Sequence, residues 1–126
     1  MKLVTRVKKL VTQYKKKLGL RGWKFEVLIS DVKDRAAEVT YDSDEKKGTV
    51  LIDRNTNLDS KELKDTIIHE LLHIALSPYT YYVDTILNFV KDNPESKINY
   101  NKILKKLRQI EEKIVVKLTK FIMNYE

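Results

Sequence analysis

The chain has 126 residues, which is enough for one domain with a single modest core. No apolar run approaches the roughly 18 residues that a membrane span requires, and the first ten residues lack the continuous apolar core of a signal peptide. The sequence contains no cysteine, which excludes disulfides and thiolate metal ligands. We therefore expect one cytoplasmic domain over residues 1–126, with no membrane partner.

The chain is basic, since 25 Lys and Arg against 18 Asp and Glu give a net charge of +7. The lysine clusters Lys8-Lys9, Lys15-Lys16-Lys17 and Lys105-Lys106 lie within helical apolar repeats, where solvated helix faces explain them. Arginine and aromatic residues do not cluster on one segment, so the composition does not favour a nucleic-acid surface.

The first half of the chain predicts one helix and three strands. Apolar residues at steps of three and four from Leu3 to Leu18 indicate an amphipathic helix that ends at Gly19. Residues 23–29, 37–41 and 49–53 are rich in branched and aromatic residues and read as strands. The last two form a hairpin around the polar turn 42–48. We expect a small, mostly antiparallel three-stranded sheet that needs helices to cover its apolar face.

A second helix is marked by start and stop signals on both sides. Asp59 as N-cap and Glu62 three residues later make a pair of the capping-box type. Its buried stripe comprises Leu63, Ile67, Ile68, Leu71, Leu72, Ile74 and Ala75. Pro78 is expected to stop this helix.

Both histidines of the chain fall on this helix, in the pentapeptide His69-Glu70-Leu71-Leu72-His73. On a helix, imidazoles at i and i+4 share one face and can chelate one Zn²⁺, while the glutamate between them can reach the metal-bound water. The pattern HExxH therefore predicts a catalytic zinc site with His69 and His73 as ligands.

The third protein ligand is expected on the last helix. Residues 79–90 predict a short third helix ended by Asp92-Asn93-Pro94, and residues 98–125 predict a long fourth one. In the fourth helix, the seam of Leu104, Leu107, Ile114, Leu118 and Phe121 contains one charged residue, Glu111. A carboxylate in an apolar seam is costly unless something compensates it, and a metal ion does so. Glu112, Glu95 or an aspartate are alternatives, and Glu111 at the seam margin or paired with a lysine is the purely structural interpretation.

These two helices together resemble a known group of enzymes. The chain resembles the gluzincin metallopeptidases in having His-Glu-Leu-Leu-His on one helix and Glu-Glu-Lys-Ile-Val-Val-Lys-Leu on a later helix. Its small size resembles that of the minigluzincins. The resemblance implies an α+β, zincin-like minimal domain whose sheet packs against an active-site helix and a long C-terminal glutamate helix. It implies His69, His73 and Glu111 as zinc ligands and Glu70 as general base. Tyr79, Tyr81, Tyr82 and Tyr100 are candidates to stabilise the oxyanion.

The expected activity is zinc-dependent hydrolysis of peptide bonds within an extended peptide or protein substrate, with one catalytic Zn²⁺. The substrate is expected to pair with one arm of the 37–53 hairpin. The resemblance also implies latency through self-association or a terminal segment, for which Tyr125-Glu126 is the candidate. The competing hypothesis is a non-catalytic, basic interaction domain stabilised by zinc, with nucleic acid as one partner. Glu70 distinguishes the two, because a structural zinc site has no use for it.

Overall fold

The computed structural model describes residues 2–92 and 99–125 of the chain. Its elements are, in chain order, α1 (Leu3–Lys17), β1 (Lys24–Ser30), β2 (Ala37–Asp42), β3 (Lys47–Asp53), α2 (Ser60–Ala75), α3 (Ser77–Lys91) and α4 (Tyr100–Asn124). They fall into two compact units, Met1–Ala75 and Leu76–Glu126. The fold is thus a small α+β arrangement, and the expectation of one domain stays a prediction. No helix among the described residues is long and apolar enough to span a membrane.

Helix α1 ends where the sequence places its stop signal. Gly19 has a φ of +75°, a left-handed conformation that glycine adopts without steric cost. The N–H of Leu20 donates to the carbonyl of Lys15 at 2.8 Å and the N–H of Gly19 to that of Lys16 at 3.4 Å. These two bonds are the Schellman pattern, which satisfies carbonyls at a helix end that would otherwise lack partners.

The sheet is mixed, which corrects the expectation of a mostly antiparallel one. Its strand order is β1-β3-β2, with β1 parallel and β2 antiparallel to the central β3. The predicted hairpin is confirmed, and its turn is shorter than expected because β2 extends to Asp42 and β3 begins at Lys47. Asp42 Oδ1 accepts from the N–H groups of Asp44 and Glu45 at 3.0 and 3.2 Å, which fixes the turn.

One face of the sheet is apolar and is covered over most of its area, whereas Ile29 on this face is 38% exposed. Val27 and Val39 flank Val50, and Ile29 and Ala37 flank Ile52 on the same face. At the end of this face the Phe25 ring lies over Gly48, where a Cβ atom would approach the ring to 2.5 Å. Gly48 therefore permits the aromatic packing of Phe25 at this position.

Helices α1 and α2 pack on each other, α1 on β1 and α2 on β2. The core of this first unit is formed by fully buried side chains from both helices and the sheet, namely Val7, Tyr14, Val50, Ile52, Leu63, Ile67, Ile68 and Leu71. The stripe predicted for α2 is therefore confirmed at its main positions.

Helix α2 begins with the predicted capping box. The N–H of Glu62 donates to Asp59 Oδ1 at 2.8 Å, and the N–H of Asp59 donates to Glu62 Oε2 at 3.1 Å. The helix ends at Ala75, and α3 begins two residues later at Ser77. Pro78 thus lies in the first turn of α3 and does not itself end α2, because a proline at the start of a helix loses no hydrogen bond.

The second unit consists of α3 and α4, which pack on each other. Helix α3 covers the predicted 79–90 and is slightly longer, and α4 lies within the predicted 98–125. Ile98, Asn93 and Pro94 lie outside the described residues.

The buried side of α4 differs from the predicted seam beyond Glu111. Val115 and Thr119 are buried, whereas Ile114, Leu118 and Phe121 are exposed. After Glu111 the buried residues follow at steps of four, at Val115 and Thr119. They therefore lie on a different side of the helix from the predicted seam through Ile114 and Leu118. Thr119 tolerates burial because its hydroxyl donates to the carbonyl of Val115 at 2.8 Å.

Candidate metal centre

The motif histidines lie in the last two turns of α2, beside its buried stripe. His69 and His73 are both half-buried, while Ile68 and Leu72, each one residue earlier in the chain, are buried. The apolar neighbours hold the helix against the core, so the imidazoles are presented from a fixed backbone. The metal face predicted from the sequence therefore borders the core of the first unit without interrupting it.

The two imidazoles lie next to each other. Their ring centroids are 5.1 Å apart and the rings are inclined by 68°. A ring nitrogen of His69 lies within 4.8 Å of a ring nitrogen of His73. Two nitrogens bound to one tetrahedral zinc are about 3.3 Å apart, so a small rotation of the side chains would bring both to bonding distance. The pair could therefore hold a metal ion.

Glu70 is half-buried and lies three residues before His73. Residues at i and i+3 are neighbours on a helix surface, so Glu70 and His73 occupy neighbouring positions on the same side of α2. This is the relation that a proton-accepting carboxylate needs next to a ligand of a hydrolytic metal.

Glu111, the third ligand predicted from the sequence, lies in the second unit on α4. It is half-buried, and its Oε1 accepts a hydrogen bond of 2.7 Å from Thr80 Oγ1 on α3. One oxygen of the carboxylate is thus held by a neutral donor, as is common for carboxylates that bind metals. Whether Glu111 is the ligand stays a prediction.

The alternatives have different environments. Glu112 is exposed on α4, one residue further along. Glu95 lies outside the described residues. Tyr79, Tyr81 and Tyr82 are all on α3 and are about 70% exposed.

The second unit also contains an apolar groove of about 610 Å³ between α3 and α4. Side chains that line it include Tyr79, Val83, Leu104, Leu107, Ile110 and Ile114, together with Glu111 and Glu112. The amino-acid sequence predicts neither this groove nor the hydrogen bond from Thr80 to Glu111. Both depend on which faces of α3 and α4 meet, and apolar periodicity in a single helix does not specify that.

Comparisons of the chain with protein-family models, with curated proteins and with solved structures returned no match. The resemblance to gluzincins therefore rests on the residues of the two helices alone.

Proposed function

We propose that the chain is a zinc-dependent metalloendopeptidase of the gluzincin type. The observation that carries the proposal is the pair of adjacent imidazoles, His69 and His73, with Glu70 between them in the sequence of α2. They are the only histidines of the chain, and it has no cysteine. Both histidines of the chain therefore fall in a single HExxH pattern on one helix. This placement favours a hydrolytic zinc site over two unrelated surface histidines.

The third ligand is proposed to come from α4. Two histidines and one carboxylate make a set that could hold a metal ion, and Glu112 offers such a carboxylate. The hydrogen bond from Thr80 supports Glu111, because a donor on one carboxylate oxygen orients the other one. The exposure of Glu112 leaves its carboxylate accessible to an ion.

Bound zinc would supply Lewis acidity, which lowers the pKa of a coordinated water to about 7. The protein residues provide the proton transfers. Glu70 accepts a proton from the attacking water and later delivers it to the nitrogen of the leaving amine. His69 and His73 would hold the metal, and their attachment to one helix would keep the reacting groups aligned.

The substrate is proposed to bind as an additional strand on β2. Of the two hairpin strands, β3 is central and pairs with β1 on one side and β2 on the other. β2 is therefore the hairpin strand that lies at an edge of the sheet. The N–H of Asp53 donates to the carbonyl of Ala36 at 2.8 Å, and backbone groups in a strand alternate sides. Ala37 and Val39 therefore direct their N–H and C=O groups away from β3. β2 also packs on α2, the helix that carries the motif. Main-chain pairing of this kind favours broad sequence specificity.

Latency through the C-terminal segment belongs to the same proposal. Tyr125 is exposed and its ring contacts that of Phe121 at a centroid distance of 4.5 Å, while Glu126 lies outside the described residues. A chain that lacks residues 124–126 should cleave casein faster than the full chain, and an unchanged rate would remove this part of the proposal.

Glu70→Gln tests the catalytic step. The variant should bind zinc like the parent chain, because Glu70 is not a ligand, and should lose at least about 100-fold in the rate of casein cleavage, the lower end for a general base. Zinc content by elemental analysis and cleavage rate with zinc present are the two readouts.

The controls separate enzyme from structural zinc protein. Glu62→Gln, on the same helix two turns earlier, should retain full cleavage activity. If the parent chain binds zinc and cleaves no peptide or protein, the site is structural and the interaction-domain hypothesis gains. If the parent chain binds no zinc, both hypotheses are rejected.

A further inference from the structure

A second groove lies in the first unit, between α1 and β1. It has a volume of about 510 Å³ and takes no residue from α2 or from the motif. From α1 it is lined by Lys8, Val11, Thr12 and Lys15, and from β1 by the four consecutive residues 25–28. Because side chains alternate along a strand, four consecutive residues can line one groove only along the edge of the strand. The groove therefore follows the outer edge of β1.

The backbone of this edge is available for pairing. Among the described residues, β1 pairs with β3 alone, so its other side has no neighbouring strand. The N–H of Lys24 donates to Lys46 and the carbonyl of Ser30 accepts from Arg54, so even-numbered residues of β1 face inward. In a parallel ladder the intervening residues face the other way. Phe25, Val27 and Ile29 therefore direct their N–H and C=O groups toward the groove side.

The floor and the wall of the groove have different chemistry. Val11 and Val27 are buried and Phe25 is half-buried, which gives an apolar floor, and Leu28 is 42% exposed at the rim. The wall is basic, because α1 carries Arg6, Lys8, Lys9, Lys15, Lys16 and Lys17 and has no acidic residue. Lys8 and Lys15 line the groove itself and are two helical turns apart, a separation of about 10 Å along the helix axis.

We propose that this groove binds an extended peptide segment in which apolar and acidic residues alternate, added as a fourth strand on β1. The backbone of the segment pairs with β1, its carboxylates lie on the α1 side and face Lys8 and Lys15, and its apolar side chains lie on the opposite side beside Leu28. Glu26 is the one acidic residue of the lining and opposes such a partner. The site is separate from the proposed hydrolytic one, since β1 and β2 form opposite edges of the sheet.

Two other occupants fit less well. A second copy of the chain paired through β1 would bring two α1 helices together, each with six basic residues and no acid. A nucleic acid would use the lysines, but it has no backbone donors and acceptors to pair with a strand edge and gains little from an apolar floor. Both are outcomes that the experiment separates.

The experiment uses the full chain and three fluorescent probes of equal length. The probes are a ten-residue peptide of alternating Glu and Val, the matching peptide of Lys and Val, and a ten-nucleotide oligothymidine. We expect the Glu-Val peptide to bind at least about tenfold more tightly than either other probe in anisotropy titrations, because only it matches both the charge and the strand edge. Tighter binding of the oligothymidine, or dimerisation without any probe, would overturn the proposal.

Paired variants locate the binding. The double variant Lys8→Glu, Lys15→Glu should weaken binding of the Glu-Val peptide at least about tenfold. The control double variant Lys9→Glu, Lys16→Glu makes the same change of charge on the same helix, at residues that do not line the groove. The control should have a clearly smaller effect, since charges beyond about 8 Å are screened at physiological salt. Glu26→Gln should tighten binding. Equal losses in both lysine pairs would show non-specific attraction and reject the groove.

Amide hydrogen exchange tests the mode of binding. The Glu-Val peptide should slow exchange at Phe25, Val27 and Ile29, the amides that face outward, and leave Glu26 and Leu28 nearly unchanged because β3 already protects them. Unchanged exchange at the three outward amides in the saturated complex would reject strand addition.

Discussion

Thr80 is the residue that most directly connects the structure to the identity of the third metal ligand. Its hydroxyl donates to Glu111 Oε1 at 2.7 Å. A hydrogen bond that orients a metal-binding carboxylate contributes about 10–100-fold to metal affinity. The effect of removing this hydroxyl therefore depends on which carboxylate of α4 binds zinc.

Glu111→Ala and Glu112→Ala, compared side by side, should identify the ligand. The variant that removes the ligand should lose zinc affinity severely, and we expect this of Glu111→Ala. Thr80→Val should then weaken zinc binding by about 10–100-fold, and Thr80→Ser should restore it. Competition titration with a chromogenic chelator measures all four affinities.

The opposite pattern has an equally definite meaning. A severe loss in Glu112→Ala, with zinc affinity unchanged in Glu111→Ala and Thr80→Val, would assign the ligand to Glu112 and leave Glu111 as a helix–helix contact. The sequence favoured Glu111 because of its place in an apolar seam. An apolar seam is a property of one helix, and it contains no information about the Thr80 hydroxyl, which lies on another helix.

Helix α2 was predicted almost completely from its sequence because its signals are local. The capping box needs only Asp59 and Glu62, and the buried stripe needs only a period of 3.6 residues. The motif histidines could be placed for the same reason, since residues at i and i+4 on a helix must share a face. Local helix geometry is therefore sufficient to predict the part of the candidate site that lies on α2.

The elements that depend on distant partners were predicted less well. Helix α4 offers two overlapping apolar stripes after Glu111, one through Ile114 and Leu118 and another through Val115 and Thr119. Apolarity favours the first, but the structure buries the second. The hydroxyl of Thr119 donates a hydrogen bond to a carbonyl of its own helix, so burying this polar residue costs little free energy. The parallel pairing of β1 is likewise a long-range property that strand propensities do not encode.

The capping box of α2 supports a testable prediction about the element that carries the histidines. Asp59→Ala should lower the free energy of unfolding by about 1 kcal/mol, because an N–H at the helix start loses its acceptor. Urea unfolding followed by circular dichroism measures the change. Asp65→Ala, an exposed aspartate in the interior of the same helix, is the matched control and should have a smaller effect. Equal losses in the two variants would contradict a specific capping role.

For the molecule as a whole, metal binding should appear as added stability. If the native chain binds zinc and the unfolded chain does not, zinc at 100 times its dissociation constant stabilises the fold by about 2.7 kcal/mol. For a chain of this size we expect the unfolding temperature to rise by roughly 10 °C. Scanning calorimetry with and without zinc measures this shift.

The controls for this shift follow from ligand chemistry. His69→Ala and His73→Ala should abolish it, because each removes one of the two nitrogen donors. Magnesium in place of zinc should give no shift, since it prefers oxygen ligands, and a chelator should reverse the effect of zinc. A shift of the same size in both histidine variants would place the metal elsewhere.

The strand order β1-β3-β2 has a consequence for how the first unit forms. The central position of the sheet is filled by the strand that is made last, since Val27 of β1 pairs with Val50. The β2–β3 hairpin is local and such hairpins close in about 1–10 μs, but β1 can join only after β3 is present. During synthesis, β1 and β2 therefore leave the ribosome as strands without a shared neighbour. Because local contacts form faster than long-range ones, we expect the hairpin to close first and the parallel pairing of β1 to follow it.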